Sequence, residues 1–396
     1  MSLEHEGKPE EGGPVDAGAG SAPLGALADF SSSWSGQGVD VNSIKAALRR
    51  LLQELNPPQE GQSHPPVKAS LLSRIVVLDR GAENARAMEA MGELARLHPS
   101  RTMMISVDRD APPGLDADAT VYCQLQTGMQ PRVCFEEIRL TARGDLAGQL
   151  SSVVVPLLIP DMPVVLWWIG EPPAEDDELL RICNRLTIDS DPLGAQGPDR
   201  VQRLVAAMGP GKIVTDLAWA ELSPWQDVLA QLFDPLETRP YQRTLDRVEI
   251  QYAAGTTSSR PLLMAGWLAS TFGWALEARE TGEQLGEGRH YLRGAAGQVE
   301  LHLTPRVAPS RSAGELLSVS LSSGSGEGKA FLSVTRYEDG VCATMRTRLP
   351  DHPEQSRVVP LARPSWASLL SGELDRRKAD PAYLASLALA SKLAQA

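Results

Sequence analysis

From about residue 70 the chain repeats one rhythm: a short apolar run, an amphipathic stretch, then another short apolar run. "RIVVLD" reads as a strand, "AENARAMEAMGELARL" as a helix and "TMMISV" as a strand again. "TVYCQLQT" and "RVCFEEIRLTA" alternate apolar and polar residues about "GMQP", which predicts an antiparallel hairpin. A helix is predicted next, capped by Asp145, with Leu146, Leu150, Val153, Val154, Leu157 and Leu158 inward. Pro156 ends or kinks it, because proline removes a helical donor. "VVLWWIG" is a nearly continuous apolar run, as in a strand covered on both faces. The alternation continues through "ELLRICNR", "LTIDS", "PDRVQRLVAAM" and "KIVTDLA" to "PWQDVLAQLF", a helix with Ser223 as cap and Pro224 at its first position. This pattern restricts residues 67–242 to a Rossmann-like α/β domain, a parallel or mixed sheet with helices on its faces.

After "DPLETRPYQRTL" the rhythm changes. "RVEIQYA" reads as a strand and "PLLMAGWLASTFGWAL" as a helix. Five alternating strands follow with Gly/Ser-rich loops, and "SWASLLSGELDR" and "PAYLASLALASKLAQ" close the chain as helices. Residues 243–396 are therefore expected to form an α+β domain with a mostly antiparallel sheet. Residues 1–40, rich in Gly, Ala, Ser, Pro and acid, are expected to be a disordered tail. Residues 41–66 read as an amphipathic helix and a linker. Ile44, Ala47, Leu48, Leu51, Leu52 and Leu55 share the helix's apolar face, Asn42 or Ser43 caps it, and "NPPQEGQSHPP" breaks the chain.

Composition bounds the function. With 396 residues, 42% of them apolar, the chain can bury a large core. A net charge of −12 argues against a nucleic-acid or polybasic membrane partner. No run approaches the roughly 18 apolar residues of a membrane span, and the acidic start does not read as a signal peptide, so a cytoplasmic protein is expected. Cys123, Cys134, Cys183 and Cys342 form no C-x-x-C and no zinc spacing. Buried reduced thiols are the expectation, with a redox pair of Cys123 and Cys134 on neighbouring strands as the alternative.

Familiar catalytic patterns are absent from the sequence. "GPGKI" has Ala206 and Ile213 where a phosphate loop needs Gly and Ser/Thr, and "GSGEGKA" has Ser323 and Ala330 there. No G-x-G-x-x-G follows the first strand, and no G-x-S-x-G elbow is present. Neither a cofactor nor a metal is expected. Glu136 and Glu137 point to opposite faces of a strand and read as solvated acids, as does the run Glu175 to Glu178. In "HPSR", His98 faces the last carbonyls of a helix, or else Arg101 holds an anion.

The tryptophans are the remaining candidates. Trp168 follows a Pro-Asp-x-Pro corner in "PLLIPDMPVVLWWIG", where Asp161 is placed to satisfy the turn's backbone donors. Trp219 and Trp225 bridge the two domains, and Trp267 shares a helix face with Trp274. Tryptophan suits both cores and interface anchors.

The string "LLIPDMPVVLWW" resembles the signature segment of the glucose-6-phosphate dehydrogenase assembly proteins, the OpcA family. "HPSR", "CFEEIRL", "DLAWAELSPWQDVLAQLFD" and "LLMAGWLASTFGW" are similar to further family segments, in the family's order, from about residue 41 onward. The resemblance implies a non-catalytic partner that binds glucose-6-phosphate dehydrogenase and promotes its active oligomer in the oxidative pentose phosphate pathway. Trp219, Trp225, Trp168 and Trp267 are then candidate partner contacts. The alternative is a sugar-phosphate sensor or enzyme with an anion site near Arg101, because open α/β sheets bind ligands at the carboxyl ends of their strands. Some relatives carry redox-regulated cysteines, but no cysteine pair falls within the matching motifs.

Overall fold

The computed structural model describes residues 30–55, 67–68, 72–78, 83–98, 100–124, 133–255, 258–281, 287–324 and 328–394. Nine strands build the first sheet: β1 (Phe30–Gly36), β2 (Val67–Lys68), β3 (Ser73–Leu78), β4 (Arg101–Asp108), β5 (Gly114–Gln124), β6 (Val133–Arg143), β7 (Val164–Ile169), β8 (Arg185–Ile188) and β9 (Ile213–Asp216). Their order is β1-β5-β6-β4-β3-β7-β8-β9, with β2 on β6. From β6 through β9 every pairing is parallel, and β5 and β1 add antiparallel strands at one edge. Strands β3 and β7 are buried along their full length, as continuous apolar runs require.

Helices cover both faces. They are α1 (Val41–Leu55), α2 (Glu83–Leu97), α3 (Leu150–Val154), α4 (Glu178–Ile182), α5 (Gly197–Met208), α6 (Leu217–Ala220) and α7 (Ser223–Gln231). The second sheet has eight strands: β10 (Arg247–Ala253), β11 (Ala275–Thr281), β12 (Gly288–Gly294), β13 (Gly297–Arg306), β14 (Leu316–Ser323), β15 (Ala330–Arg336), β16 (Cys342–Arg348) and β17 (Gln355–Pro360). Its order is β11-β12-β13-β10-β14-β15-β16-β17, and only β10–β13 is parallel. Helix α8 (Ser259–Phe272) follows β10, and α9 (Trp366–Asp375) and α10 (Pro381–Ala394) end the described chain. The expected fold class holds: an α/β sheet, then an α+β unit with a mostly antiparallel sheet.

Several local expectations are corrected. Residues 30–36 are not tail but an edge strand, whose Trp34 packs against the core; residues 1–29 and 56–66 lie outside the described residues. Asp40, not Asn42 or Ser43, caps α1 by accepting from the Ser43 amide at 2.7 Å. Asp145 and Ser223 make no capping bond, because Asp145 sits inside a 3-10 turn and Ser223 is already the first residue of α7 rather than the one before it. Pro156 lies in a single 3-10 turn that ends the α3 segment. Trp274 lies beyond α8, which Gly273 ends in a left-handed conformation, so it shares no helix face with Trp267. Cys123 and Cys134 sit opposite each other on β5 and β6 and form a disulfide, whereas Cys183 and Cys342 are free. Cys123 and Cys134 are therefore bonded to each other rather than being reduced thiols.

The boundary at residue 242 does not divide the packing. Helix α9 returns to the first sheet, where Trp366 meets Trp167 edge-on at 5.6 Å and joins Val76, Met91, Leu94 and Met104 in one apolar cluster. Helix α10 packs against both α5 and α8.

Candidate functional site

In the first sheet the chain runs one way from β3 to β4 and the other way from β7 to β9, so strand order reverses between β3 and β7. The crevice outside the carboxyl ends of strands at such a reversal is the usual ligand position in an open α/β sheet. Here those ends meet elements from the second half of the chain.

Glu221, just after α6, is buried and is the hub. It accepts from Arg363 through both oxygens (2.9 and 2.8 Å), from Arg86 of α2 at 3.1 Å and from the Trp366 indole at 3.3 Å. Arg260, in the first turn of α8, pairs with Glu221 and with Asp191, each at 3.2 Å. Burial pushes the Glu221 carboxyl up, but Arg260, then Arg363 and Arg86, more than offset this and hold it below its ordinary value. The Arg86 guanidinium also lies 4.0 Å from the Trp366 ring centroid. Three guanidiniums on one carboxylate join α2, α8 and the segment before α9 to the end of the first sheet.

A second knot lies beside it. Asp216 ends β9 and caps α6 through the Ala218 amide (3.0 Å). It also accepts from the Ser190 amide (3.0 Å), the Ser190 hydroxyl (2.6 Å) and the Tyr383 hydroxyl of α10 (3.1 Å). Burial pushes Asp216 up despite these bonds. Asp189 is pushed up to about 7, by burial first and then by Asp191 and Asp216. Ser259 donates to the carbonyls of Ser190 (2.6 Å) and Gly194 (3.0 Å), and Ser258 bonds Asp191.

The predicted site residues fall around these knots without forming one site. Trp219 is 7% exposed, donates to Asp380 at 3.2 Å and lies against Tyr383. Trp225 is buried with the Arg336 guanidinium 5.3 Å from its ring centroid. Trp168 is buried and donates to the Glu171 carbonyl at 2.7 Å. Trp267 alone of the four is half-buried. Arg101 is paired within the protein: its Nε bonds Glu136 at 2.5 Å and its Nη1 the Leu157 carbonyl at 2.6 Å. His98 bonds Ser371 of α9 at 3.1 Å, so "HPSR" ties α2 to the returning helix.

The expected solvated acids are also corrected. Glu136 and Glu137 do face opposite sides, but both are buried, paired with Arg101 and Arg139. Asp177 caps α4, and Glu175 pairs with Arg200 and Arg203. Sequence reasoning passed over Arg260, Glu221 and Asp216. The available signal was a charge at the end of an apolar strand ("KIVTD") or opening an apolar helix ("SRPLLMAGW").

Among the described residues, no cluster of His, Cys, Asp and Glu is arranged to hold a metal, and no helix is long and apolar enough to cross a membrane. Fold and site together describe a two-sheet α/β scaffold whose charged residues are used to join its parts.

The chain belongs to the OpcA family. Residues 91–206 match the glucose-6-phosphate dehydrogenase subunit N-terminal domain, and residues 212–387 match the C-terminal domain. Two similar proteins carry the name "Putative OxPP cycle protein OpcA". That of Nostoc punctiforme is 27% identical over 77% of this chain and 68% of its own length. That of Synechocystis is 25% identical over 60% of this chain, and the aligned part spans only 53% of that relative. A crystal structure from Parabacteroides merdae, described as a "putative oxidoreductase", aligns over 83% of this chain and 98% of its own, with TM-score 0.47 and 8% identity.

Proposed function

We propose that this chain is a non-catalytic partner of glucose-6-phosphate dehydrogenase, one that binds the enzyme and favours its active oligomer in the oxidative pentose phosphate pathway. The observation that carries the reading is the match, in order and over most of the chain, to both domains of a dehydrogenase-subunit family. In this reading the protein works in the cytoplasm beside the enzyme, with no cofactor, nucleic acid or membrane. A partner of this kind acts by preferring one oligomeric state. A tenfold shift requires only about 1.4 kcal/mol of differential binding.

One surface suits the task. The second sheet turns Val248, Ile250, Leu332 and Val334 inward, and its other side carries Glu249, Gln251, Ser318, Ser320, Thr335 and Thr344. Half-buried Phe331 lies in that polar face with the Arg348 guanidinium 5.4 Å from its ring centroid. An aromatic residue set among short hydroxyl side chains is a suitable anchor with a polar surround. In this reading the buried indoles of Trp168, Trp219 and Trp225 act from beneath by holding the scaffold, and Trp267 is the one of the four partly open to contact.

The test is a pull-down of the purified dehydrogenase with the full chain and with variants of the open face. Ser320→Arg and Thr335→Arg should each weaken capture at least tenfold while the circular dichroism spectrum and melting temperature stay unchanged. Capture of the dehydrogenase unaffected by both variants would rule out this face. Failure of the unaltered chain to capture the enzyme at any salt concentration would rule out the partnership.

A further inference from the structure

We infer that this chain binds a small oxyanion, a phosphate or carboxylate group, in a cavity between the first sheet and helices α2 and α9. The inference does not rest on the dehydrogenase partnership. Register places Arg74 of β3, Val165 of β7 and Arg185 of β8 in one row across the sheet. Trp167 and Thr187 occupy the same face two residues further on. Helix α9 lies over them and contributes Glu373 to the wall. The space free of atoms is about 300 Å³, part of it open to solvent. Its enclosed part holds no more than about one water molecule, so an oxyanion would place one oxygen there and the rest in the part open to solvent.

Among the described residues, two donors in this wall have no partner. Arg74 and Trp167 are each 2% exposed, and neither the Arg74 Nη1 nor the Trp167 Nε1 makes a hydrogen bond. The Arg74 Nη2 reaches only the His98 carbonyl, at 3.5 Å. A buried guanidinium without a counter-charge is costly, as is an unmade hydrogen bond from a buried N–H. Burial alone pushes Arg74 down to about 10.

The neighbouring carboxylates are committed elsewhere. Glu373 accepts from Thr215 at 3.2 Å and pairs with Arg376 at 2.9 Å. Glu137, two strands along the Arg74 row, pairs with Arg139 through its Oε1, and its Oε2 has no hydrogen-bond partner among the described residues. Arg185 adds a second buried guanidinium to the wall, bonded to Thr215 and to the Arg376 carbonyl. The cavity therefore offers surplus positive charge and two free donors. An oxyanion supplies both the missing charge and the missing acceptors, whereas a water molecule supplies only acceptors.

The experiment uses the full chain without the dehydrogenase. Isothermal titration calorimetry and thermal melting are run with inorganic phosphate and with acetate, against chloride at matched ionic strength. Saturable binding and a rising melting temperature are expected with at least one oxyanion. Arg74→Met should melt no lower than the unaltered chain in chloride and should lose the oxyanion response. Trp167→Phe keeps the ring but not the donor, and should weaken binding three- to tenfold even if Arg74→Met does not fold. No saturable response beyond chloride would overturn the inference. So would a response kept in both variants, or a crystal grown in phosphate that shows only water between Arg74 and Trp167.

Discussion

Asp161 has a φ of 61°, alone among the described non-glycine residues in adopting a positive value. Its carboxylate makes no capping bond. The expectation that it satisfies the turn is replaced by a backbone reason: Asp tolerates the left-handed region better than most residues. The corner is instead tied down by Ser73, whose hydroxyl accepts from the Ile159 amide at 3.1 Å and whose amide donates to the Pro163 carbonyl at 2.9 Å. Asp161→Ala should therefore cost about 1 kcal/mol in urea unfolding, and Asp161→Gly should cost nothing. Asp189 gives a pH test. Its carboxyl is raised in the folded state to about 7, so the folded chain holds this proton more tightly than the unfolded chain. Its contribution to stability is present below the unfolded carboxylate range and is lost as pH rises to about 7. Asp189→Asn should remove that fall, so the variant gains on the unaltered chain between pH 4 and 7 in thermal melts. Most such charges were not legible in the sequence. Glu136 finds Arg101 only because β6 lies beside β4, and nothing local in "CFEEIRL" indicates it.

The elements were more legible than their ends. Continuous apolar runs and period-two alternation located every interior strand of both sheets. The missed strands are the two-residue β2, too short to show a pattern, and β1, β11 and β17 at sheet edges, where one side is unpaired and the pattern is diluted by polar residues such as "FSSSWSG" and "QSRVVP". Packing between helices gives a contrasting pair of predictions. A Cβ on Gly266 of α8 would lie 2.3 Å from the Ser386 carbonyl of α10, and one on Gly372 of α9 would meet nothing within 4 Å. Gly266→Ala should cost about 1–3 kcal/mol and speed amide exchange in α10. Gly372→Ala should stabilise by about 0.5–1 kcal/mol, because only the helix propensity changes. Trp366→Ala should cost about 3–5 kcal/mol and loosen α9 over Trp167 before it affects the second sheet.

At the scale of the whole molecule, two rhythms in the sequence become two sheets, but not two separable halves. The Glu221 hub and the Asp216 knot use residues from both sides of residue 242, and α9 and α10 return to the first half. Sequence patterns do not report such returns, because an amphipathic helix shows that it has a partner without showing which one. A fragment ending at residue 242 should expose the cluster around Trp167 and unfold more readily than the full chain, with amide exchange fastest in α2. The central claim is that the chain acts on the dehydrogenase by favouring one oligomer. Light scattering during size-exclusion chromatography, with activity measured on the same fractions, tests it most directly. The account predicts a co-eluting complex, a larger dehydrogenase assembly and higher specific activity as this chain is added. Separate elution with unchanged dehydrogenase mass and activity, across protein concentration and salt, would contradict it.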